Sequence, residues 1–156
     1  MNGEEFILVT GATGFLGARL VRELLDRYPQ ASLALLVRDR PGQSGRDRMA
    51  ALLTAPDMER VQVLSGDVSR NKCGLDDATY QRIAAETTRV IHSAATVRFD
   101  HSIDEARLIN VEGTRRVLDF AESAPRLQSM AYVGTAYVAG SRTGLVREDE
   151  LRLGQS

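Results

Sequence analysis

The segment from Phe6 to Gly17, FILVTGATGFLG, joins an apolar run to glycines spaced three residues apart. Residues 6–9 are continuously apolar, as in a strand that is covered on both faces of a parallel sheet. Beyond the first two glycines, leucine and valine recur at the spacing of a helix that is buried along one side. These positions are Leu16, Leu20, Val21, Leu24 and Leu25. The segment therefore predicts a strand that turns directly into a helix.

Each glycine of this turn can be assigned a task. Gly11 permits the tight turn, Gly14 lets the backbone approach a pyrophosphate, and Gly17 lets the helix pack closely on the strand. The unpaired N–H groups and the dipole at the start of the helix favour an anion there. An ordinary strand-turn-helix with structural glycines is the alternative. We expect a dinucleotide cofactor to contact Gly11, Thr13, Gly14, Phe15, Leu16 and Gly17.

The composition is that of an ordinary globular protein and argues against several functional classes. The 156 residues are 43% hydrophobic and 26% charged, and their net charge of −1 gives no reason to expect a nucleic acid partner. No apolar run is as long as a transmembrane segment, and the N-terminus is acidic, unlike a signal peptide, so we expect a cytoplasmic protein. Cys73 is the only cysteine, and we place it in a polar loop without nearby histidine. We therefore expect neither a disulfide nor a metal site.

Strands and helices alternate along the rest of the chain. Further strands are predicted at residues 33–37, 61–64, 90–91 and 130–133, and helices at residues 76–85 and 104–122. Asp76 is the predicted N-cap of the first of these helices. Residues 38–48 are predicted to be a polar loop that leads into a short helix ending at Leu53. The alternation predicts an α/β fold, a Rossmann-like doubly wound parallel sheet of about five strands in the order 3-2-1-4-5.

Polar residues that follow the predicted strands meet at one edge of such a sheet, where nucleotides bind. Arg38 follows the second strand, at the position where an Asp or Glu would hold the ribose 2′-hydroxyl of NAD, and an arginine suits a 2′-phosphate instead. The alternative is open, because Asp39 is adjacent and Arg40, Arg46 and Arg48 suggest a solvated basic loop. We predict NADP(H) as the cofactor, with Arg38 and Arg48 among its contacts.

The third and fourth strands end in further candidates. Asp67 either accepts a hydrogen bond from the adenine amino group or is an aspartate of the turn. His92 is expected to be a packed residue rather than a general base. Ala94 and Ala95 are small, which lets a cofactor lie close to the chain. The remaining predicted cofactor contacts, Val68 and Thr96, are neighbours of these residues.

Two polar residues are the candidates for chemistry. Asn110 lies in the middle of a predicted helix, where its poor helix propensity suggests a task such as bonding to the backbone; an exposed asparagine is the alternative. Thr135 follows the fifth strand at the same edge of the sheet. It is the candidate for contact with a substrate carbonyl, and a threonine that only packs is the alternative.

With these residues in place, nearly the whole chain resembles the extended short-chain dehydrogenase/reductases. Within them it is similar to the male-sterility-type branch of fatty acyl-CoA reductases and thioester reductase domains. Several matching motifs are common to the extended members, including sugar-nucleotide epimerases, whereas ATVRFD and the GL after the third strand are similar to the thioester-reducing branch in particular. The motifs are TGATGFLG at 10–17, LVR at 36–38, GDV at 66–68, GL at 74–75, HSAATVRFD at 92–100, NVEGT at 110–114 and GTAYV at 134–138.

The resemblance implies hydride transfer from NADPH to an acyl thioester, with an aldehyde or alcohol as product. The thioester partner would be an acyl-CoA or an acyl group on a carrier protein. The resemblance makes Thr135 the catalytic hydroxyl, Asn110 the residue that supports the active site, and Arg38 the contact of the 2′-phosphate. Gly134 stands where the family usually has serine.

The family's Tyr-x-x-x-Lys pair does not occur in this sequence, because Lys72 is the only lysine and follows no tyrosine at that spacing. We therefore expect the C-terminal part of the family fold to be missing. Residues 1–140 are then an NADP(H)-binding Rossmann domain, and residues 141–156 a loop or tail leading to the absent remainder.

The residues leave open whether the chain alone is an enzyme. The alternatives are a sugar-nucleotide epimerase or dehydratase of the extended family and a non-catalytic NADP(H)-binding module. Because the fifth strand would lack a covering neighbour, we also expect self-association through its edge.

Overall fold

The computed structural model describes residues 5–98 and 100–149, with Ala136 described by its backbone alone. The strands within this part of the chain are β1 Phe6–Thr10, β2 Ser32–Val37, β3 Val61–Ser65, β4 Arg89–His92 and β5 Ser129–Tyr132. They form a parallel sheet in the order β3-β2-β1-β4-β5. This order confirms the Rossmann-like fold predicted from the sequence.

Helices connect the strands, and four of them begin at a side chain that caps the first turn. The helices are α1 Phe15–Arg27, α2 Gly45–Ala50, α3 Ala55–Glu59, α4 Asp77–Glu86, α5 Ile103–Arg107 and α6 Gly113–Glu122. Ser44, Thr54, Asp76 and Ser102 each accept a hydrogen bond from the backbone N–H three residues on, which fixes the starts of α2 to α5. The predicted N-cap Asp76 is thereby confirmed. α1 differs, because Gly14 precedes it without a capping side chain.

Two apolar layers cover the faces of the sheet, because successive residues of β1 point to opposite sides. Leu8 packs in the layer with α4 and α6, where Tyr80 and Phe120 meet edge to face with ring centres 5.2 Å apart. Ile7 and Val9 pack in the layer with α1 and α2. Burial on both sides explains why the sequence of β1 is continuously apolar.

β5 is the outer strand on one side of the sheet and is far less covered than β1. It pairs with β4, with Val90 opposite Met130 and His92 opposite Tyr132. Among the described residues, no strand lies on the other side of β5. Tyr132 is 57% exposed and Val133 is 41% exposed, so an apolar edge faces solvent.

Two predictions of helix position were wrong in detail. The predicted helix at 104–122 begins at Ile103 and is interrupted by a π turn, Leu108–Glu112, between α5 and α6. The predicted loop at 38–48 ends early, because Ser44 starts α2 and places Arg48 on a helix. The predicted short helix ending at Leu53 is α2, which ends earlier, at Ala50, and a separate helix that was not predicted, α3, follows Thr54.

Cys73 is buried, contrary to the prediction that it lies in a polar loop. Lys72 and Cys73 both have positive φ, 48° and 56°, and this tight turn places Cys73 in the apolar layer beneath α4 and α6. Burial raises the pKa of the Cys73 thiol to about 11. The thiol is therefore protonated at neutral pH and is a poor nucleophile.

The described residues end within the predicted tail. Residues 141–149 contain turns but neither helix nor strand, and residues 150–156 lie outside the described ranges, as does Phe99 of the ATVRFD run. The domain boundary at residue 140 stays a prediction. No helix in the described part of the chain is both long enough and apolar enough to cross a membrane.

Candidate nucleotide-binding cleft

The turn between β1 and α1 needs its glycines for steric reasons. Gly11 has a φ of +75°, and a Cβ there would lie 2.6 Å from the backbone nitrogen of Ala94. A Cβ on Gly17 would lie 2.1 Å from the Gly11 carbonyl oxygen. Gly14 is exposed, and a Cβ on it would meet that oxygen at 3.2 Å. Gly11 and Gly17 thus permit close packing, whereas Gly14 leaves the backbone open at the start of α1.

A cleft of about 250 Å³ lies beyond the carboxyl ends of β1, β2, β3 and β4. Doubly wound sheets bind nucleotides at this edge, where the strand order reverses. The predicted contacts that line the cleft are Gly11, Thr13, Gly14, Arg38, Arg48, Asp67, Val68, Ala94 and Ala95. Its other lining residues, which were not predicted, are Leu36, Val37, Arg40, Gly66, Ser93 and Ile109.

The predicted contacts Phe15, Leu16, Gly17 and Thr96 are not among the lining residues. The Phe15 side chain is fully exposed and the Leu16 side chain is half exposed, so both extend into solvent at the start of α1. Their backbone N–H groups belong to the first turn of α1, which is the part of these residues that a phosphate could reach. Their role in cofactor binding stays a prediction.

Gly66 is a missed residue for which the sequence held a signal, since it directly follows the third strand. A Cβ on Gly66 would lie 2.5 Å from Cδ1 of Leu36 and 2.6 Å from the Cys73 carbonyl oxygen. Ser93 gave no comparable signal. Its hydroxyl donates to the Thr10 carbonyl oxygen at 2.9 Å and so joins the end of β4 to β1.

Arg48 joins two walls of the cleft. One of its N–H groups donates to the Arg38 carbonyl oxygen at 2.6 Å, and another donates to the Thr13 hydroxyl oxygen at 2.7 Å. Burial lowers the pKa of Arg48, and the positive charges of Arg40 and Arg38 lower it further. This crowding of guanidinium groups is unfavourable by itself, and an anion bound among them would relieve it.

Asp39 is held away from the cleft. One carboxylate oxygen accepts from the Gly45 N–H at 2.6 Å, and the other accepts a short hydrogen bond from the Ser65 hydroxyl. Both hydrogen bonds lower the pKa of Asp39, and the one from Ser65 has the larger effect. The carboxylate that could have held a ribose hydroxyl instead connects β3 to the start of α2.

Asp67 is a turn residue whose second carboxylate oxygen faces Arg38. Oδ1 accepts from the backbone N–H of Ser69 at 2.8 Å and from its hydroxyl at 2.7 Å. Oδ2 lies 3.9 Å from a guanidinium nitrogen of Arg38. The turn role is therefore observed, while contact with an adenine amino group stays a prediction.

His92 is packed, as the sequence predicted. It is fully buried, and its ring stacks on Tyr132 with ring centres 5.6 Å apart. Nδ1 lies 2.6 Å from the Thr10 hydroxyl oxygen and Nε2 lies 3.1 Å from that of Thr114. Burial lowers the pKa of His92 to about 4. The imidazole is therefore neutral near pH 7.

Asn110 bonds to the backbone rather than lying free on the surface. Its Oδ1 accepts from the Thr96 N–H at 2.8 Å, and its Nδ2 donates to the Thr96 carbonyl oxygen at 3.0 Å. The same segment is held from its other side, where the Thr96 hydroxyl lies 3.2 Å from Nδ1 of His101. Asn110 thus fixes the chain that follows Ala94 and Ala95 in the cleft wall.

Thr135 does not line the cleft. β5 ends at Tyr132, and Thr135 instead caps a short 3₁₀ turn, Ala136–Ala139, by accepting from the Tyr137 N–H at 3.2 Å. Between them, the Val133 N–H donates to the His92 carbonyl oxygen at 2.9 Å, so this chain runs along the end of β4. The catalytic role of Thr135 stays a prediction.

Known proteins match this chain over most of its length. Residues 9–155 match a model of an NAD-binding domain described as Male sterility protein. The human fatty acyl-CoA reductase 2 is 32% identical over 147 residues, which are 86% of this chain and 28% of that protein. The chain therefore spans less than a third of that reductase, and it spans 35% of an Arabidopsis thaliana fatty acyl-CoA reductase 1.

Solved structures also match most of this chain while the match covers less than half of their own length. The terminal R domain from the myxalamid PKS-NRPS biosynthetic pathway is 34% identical, with a TM-score of 0.84 over 97% of this chain and 41% of that one. A UDP-glucuronic acid 4-epimerase from Bacillus cereus has a TM-score of 0.71 over 97% of this chain and 47% of its own, at 22% identity. The epimerase therefore shares the fold alone.

Proposed function

This chain belongs to the Male sterility protein family of NAD-binding domains, and from that premise we propose that it is the NADP(H)-binding part of an acyl thioester reductase. The product would be an aldehyde or an alcohol. The chain covers only 28% of the human relative. We therefore propose, in addition to the cofactor, the reaction, the thioester substrate and a cytoplasmic location. The observation that carries it is the charge of the cleft, which is lined by Arg38, Arg40 and Arg48 but not by Asp39.

The start of α1 fits the pyrophosphate of a dinucleotide. Gly14 is exposed and has no side chain to cover the backbone there, and the first turn of α1 has neither an acidic residue nor a capping side chain. Backbone N–H groups are therefore left for phosphate oxygens. Ala94 and Ala95 form the facing wall, where small side chains leave space for the cofactor.

A 2′-phosphate fits the cleft better than a bare ribose hydroxyl. NAD-specific sites use a carboxylate at the end of the second strand, and the carboxylate available here, Asp39, is occupied by Ser65 and Gly45. Arg38 and Arg48 lie at the same strand end, and guanidinium groups bind phosphate through paired, charge-assisted hydrogen bonds. These contacts support NADP(H) over NAD(H).

The chemistry would divide between cofactor and chain. When bound, NADPH supplies the hydride. The Thr135 hydroxyl would donate a hydrogen bond to the carbonyl oxygen of the thioester, keep its own proton, and stabilise the negative charge that develops on that oxygen. Asn110 would keep the Thr96 backbone in place beside the cofactor. The thioester would be carried by CoA or by a carrier protein.

NADPH oxidation driven by an acyl thioester tests this proposal. The assay compares this chain with the translation product of the complete reading frame that encodes it, using acyl-CoA and trapping the aldehyde with a hydrazine reagent. We expect the complete product to form aldehyde in step with NADPH loss. Conversion of a sugar nucleotide without net NADPH loss would indicate an epimerase instead. Binding of NADPH without turnover of either substrate class would indicate a non-catalytic module.

A further inference from the structure

A chain of hydrogen bonds, buried at Thr10 and His92 and partly buried at Thr114, runs behind the cleft from β1 through β4 to the π turn. The Thr10 hydroxyl lies 2.6 Å from Nδ1 of His92, and Nε2 of His92 lies 3.1 Å from the Thr114 hydroxyl. The Thr114 hydroxyl lies 2.7 Å from the Asn110 carbonyl oxygen. Thr10 and His92 are fully buried, so neither can exchange its partner for water.

With the His92 ring neutral, only one placement of the protons satisfies every bond in this chain. The Asn110 carbonyl can only accept, so the Thr114 hydroxyl donates to it and must accept from His92, which therefore carries its proton on Nε2. Nδ1 is then bare and accepts from the Thr10 hydroxyl. The Thr10 oxygen in turn accepts from the Ala94 N–H at 3.3 Å.

The chain ends at the irregular part of the helix that carries Asn110. The Gly113 N–H donates to the Leu108 carbonyl oxygen five residues earlier, which is the wide spacing of a π turn. Within this turn, the Asn110 side chain makes two hydrogen bonds to the Thr96 backbone. The Thr114 hydroxyl thus bonds to the main chain of Asn110, and the Asn110 side chain bonds in turn to the Thr96 backbone.

We propose that His92 and Thr114 are positioning residues that set the place of Asn110 and, through it, of residues 94–96 in the cleft wall. Neither residue lines the cleft. They act by fixing both ends of that segment, since Thr10 bonds to Ala94 and Asn110 bonds to Thr96. Only the last step, an effect on nucleotide affinity, rests on the proposed function.

Thr114→Val and Thr114→Ser form a matched pair for the test, since valine removes the hydroxyl and keeps the shape while serine keeps the hydroxyl. Hydrogen exchange of the Thr96 amide is measured by NMR in the whole chain, with the Val90 amide as a control for global stability. Thr114→Val removes the hydrogen bonds of Thr114 to His92 and to the Asn110 carbonyl, and only the second acts directly on Asn110. Since one hydrogen bond is worth about 1 kcal/mol, we expect Thr114→Val to speed Thr96 exchange about fivefold relative to Val90 and Thr114→Ser to leave it near wild type. NADPH affinity should fall by a similar factor in Thr114→Val alone.

The outcomes separate this inference from the proposed function. Unchanged Thr96 exchange in Thr114→Val would overturn the inference whether or not any nucleotide binds. Faster exchange with unaltered NADPH affinity would overturn its link to the cleft. A wild-type chain that binds no nucleotide would contradict the proposed function, and the Thr96 result would still decide the positioning role.

A measurement on the wild-type chain does not depend on how the variants fold. The ¹⁵N shifts of the His92 ring report which nitrogen carries the proton. We expect Nε2–H and a bare Nδ1 at neutral pH. A proton on Nδ1 would overturn the inference, because His92 could then not donate to Thr114.

Discussion

Arg48 donates to the hydroxyl oxygen of Thr13 at 2.7 Å, although 35 residues separate the two along the chain. Thr13 belongs to the turn between β1 and α1, and Arg48 also donates to the Arg38 carbonyl oxygen at the end of β2. One guanidinium therefore links the proposed pyrophosphate position to the proposed 2′-phosphate position. The hydrogen bonds that hold this wall of the cleft are therefore formed before a nucleotide occupies the two positions.

Arg48→Ala is expected to weaken NADPH binding by about 10- to 100-fold, because hydrogen bonds to charged groups contribute about 1.5–3 kcal/mol. NADH binding should weaken less, since NADH has no 2′-phosphate. Fluorescence titration with both nucleotides measures the change. Arg46→Ala is the matched control, because Arg46 is exposed on the same helix and does not line the cleft. An equal loss for both nucleotides, or the same loss in the control, would contradict the assignment.

Ser65→Ala is expected to shift the nucleotide preference toward NADH. The Ser65 hydroxyl holds one oxygen of Asp39, and its loss would free that oxygen to accept from a ribose 2′-hydroxyl. A hydrogen bond of about 1 kcal/mol corresponds to a change of about fivefold in the ratio of the two dissociation constants. Ser65→Thr retains a hydroxyl and should keep the wild-type ratio. If the alanine variant also keeps it, Ser65 does not hold Asp39 out of the site.

Acidification is expected to destabilise the fold through His92. Burial lowers the pKa of His92 from its ordinary value of 6.5 to about 4. Between these values the unfolded chain binds the proton and the folded chain does not. The free energy of unfolding therefore falls as the pH drops through this range, by up to about 1.4 kcal/mol per pH unit, and the effect ends below the folded-state pKa.

Urea unfolding at a series of pH values within that range measures this loss. His92→Gln removes the titrating group and should show a shallower dependence on pH than the wild type. Carboxylates such as Asp76 interfere little, because their hydrogen bonds lower their pKa from 3.8 and their contribution is lost only at more acidic pH. The same slope in both proteins would mean that His92 is not the group responsible.

The exposed edge of β5 is expected to make the chain self-associate. Apolar side chains there are exposed, with Tyr132 at 57% and Val133 at 41%, and an unpaired strand edge can add a strand from another copy. Sedimentation velocity should detect dimers or larger species. Val133→Lys should reduce them, while Tyr28→Lys, which changes an exposed apolar residue at the end of α1, should not. A monomeric wild type at high concentration would refute this expectation.

Local chemistry made much of the fold predictable. Continuous apolar residues indicated β1, the glycine spacing indicated the turn, and Asp76 marked the start of α4, because each signal acts within a few residues of where it is read. The start of α3 was also readable, since Thr54 and Asp57 form a capping box, but this signal was overlooked.

Other features depend on contacts that sequence spacing does not reveal. Asp39 is occupied by Ser65, which lies on a neighbouring strand, so the residues alone left its role open. The π turn around Asn110 depends on a helix widening by one residue, which has no signature in a pattern of apolar positions. Cys73 is buried because Lys72 and Cys73 both adopt the left-handed conformation. Lysine and cysteine rarely adopt it, so the sequence gives no sign of this turn.

Titration of this chain with NADPH and with NADH tests the central claim most directly, since it measures the cofactor site without requiring a substrate. The arrangement of Arg38, Arg48 and Asp39 predicts that NADPH binds at least about tenfold more tightly than NADH, the factor that one charge-assisted contact of about 1.4 kcal/mol supplies. Comparable affinities for the two nucleotides would contradict the assignment of these arginines to a 2′-phosphate.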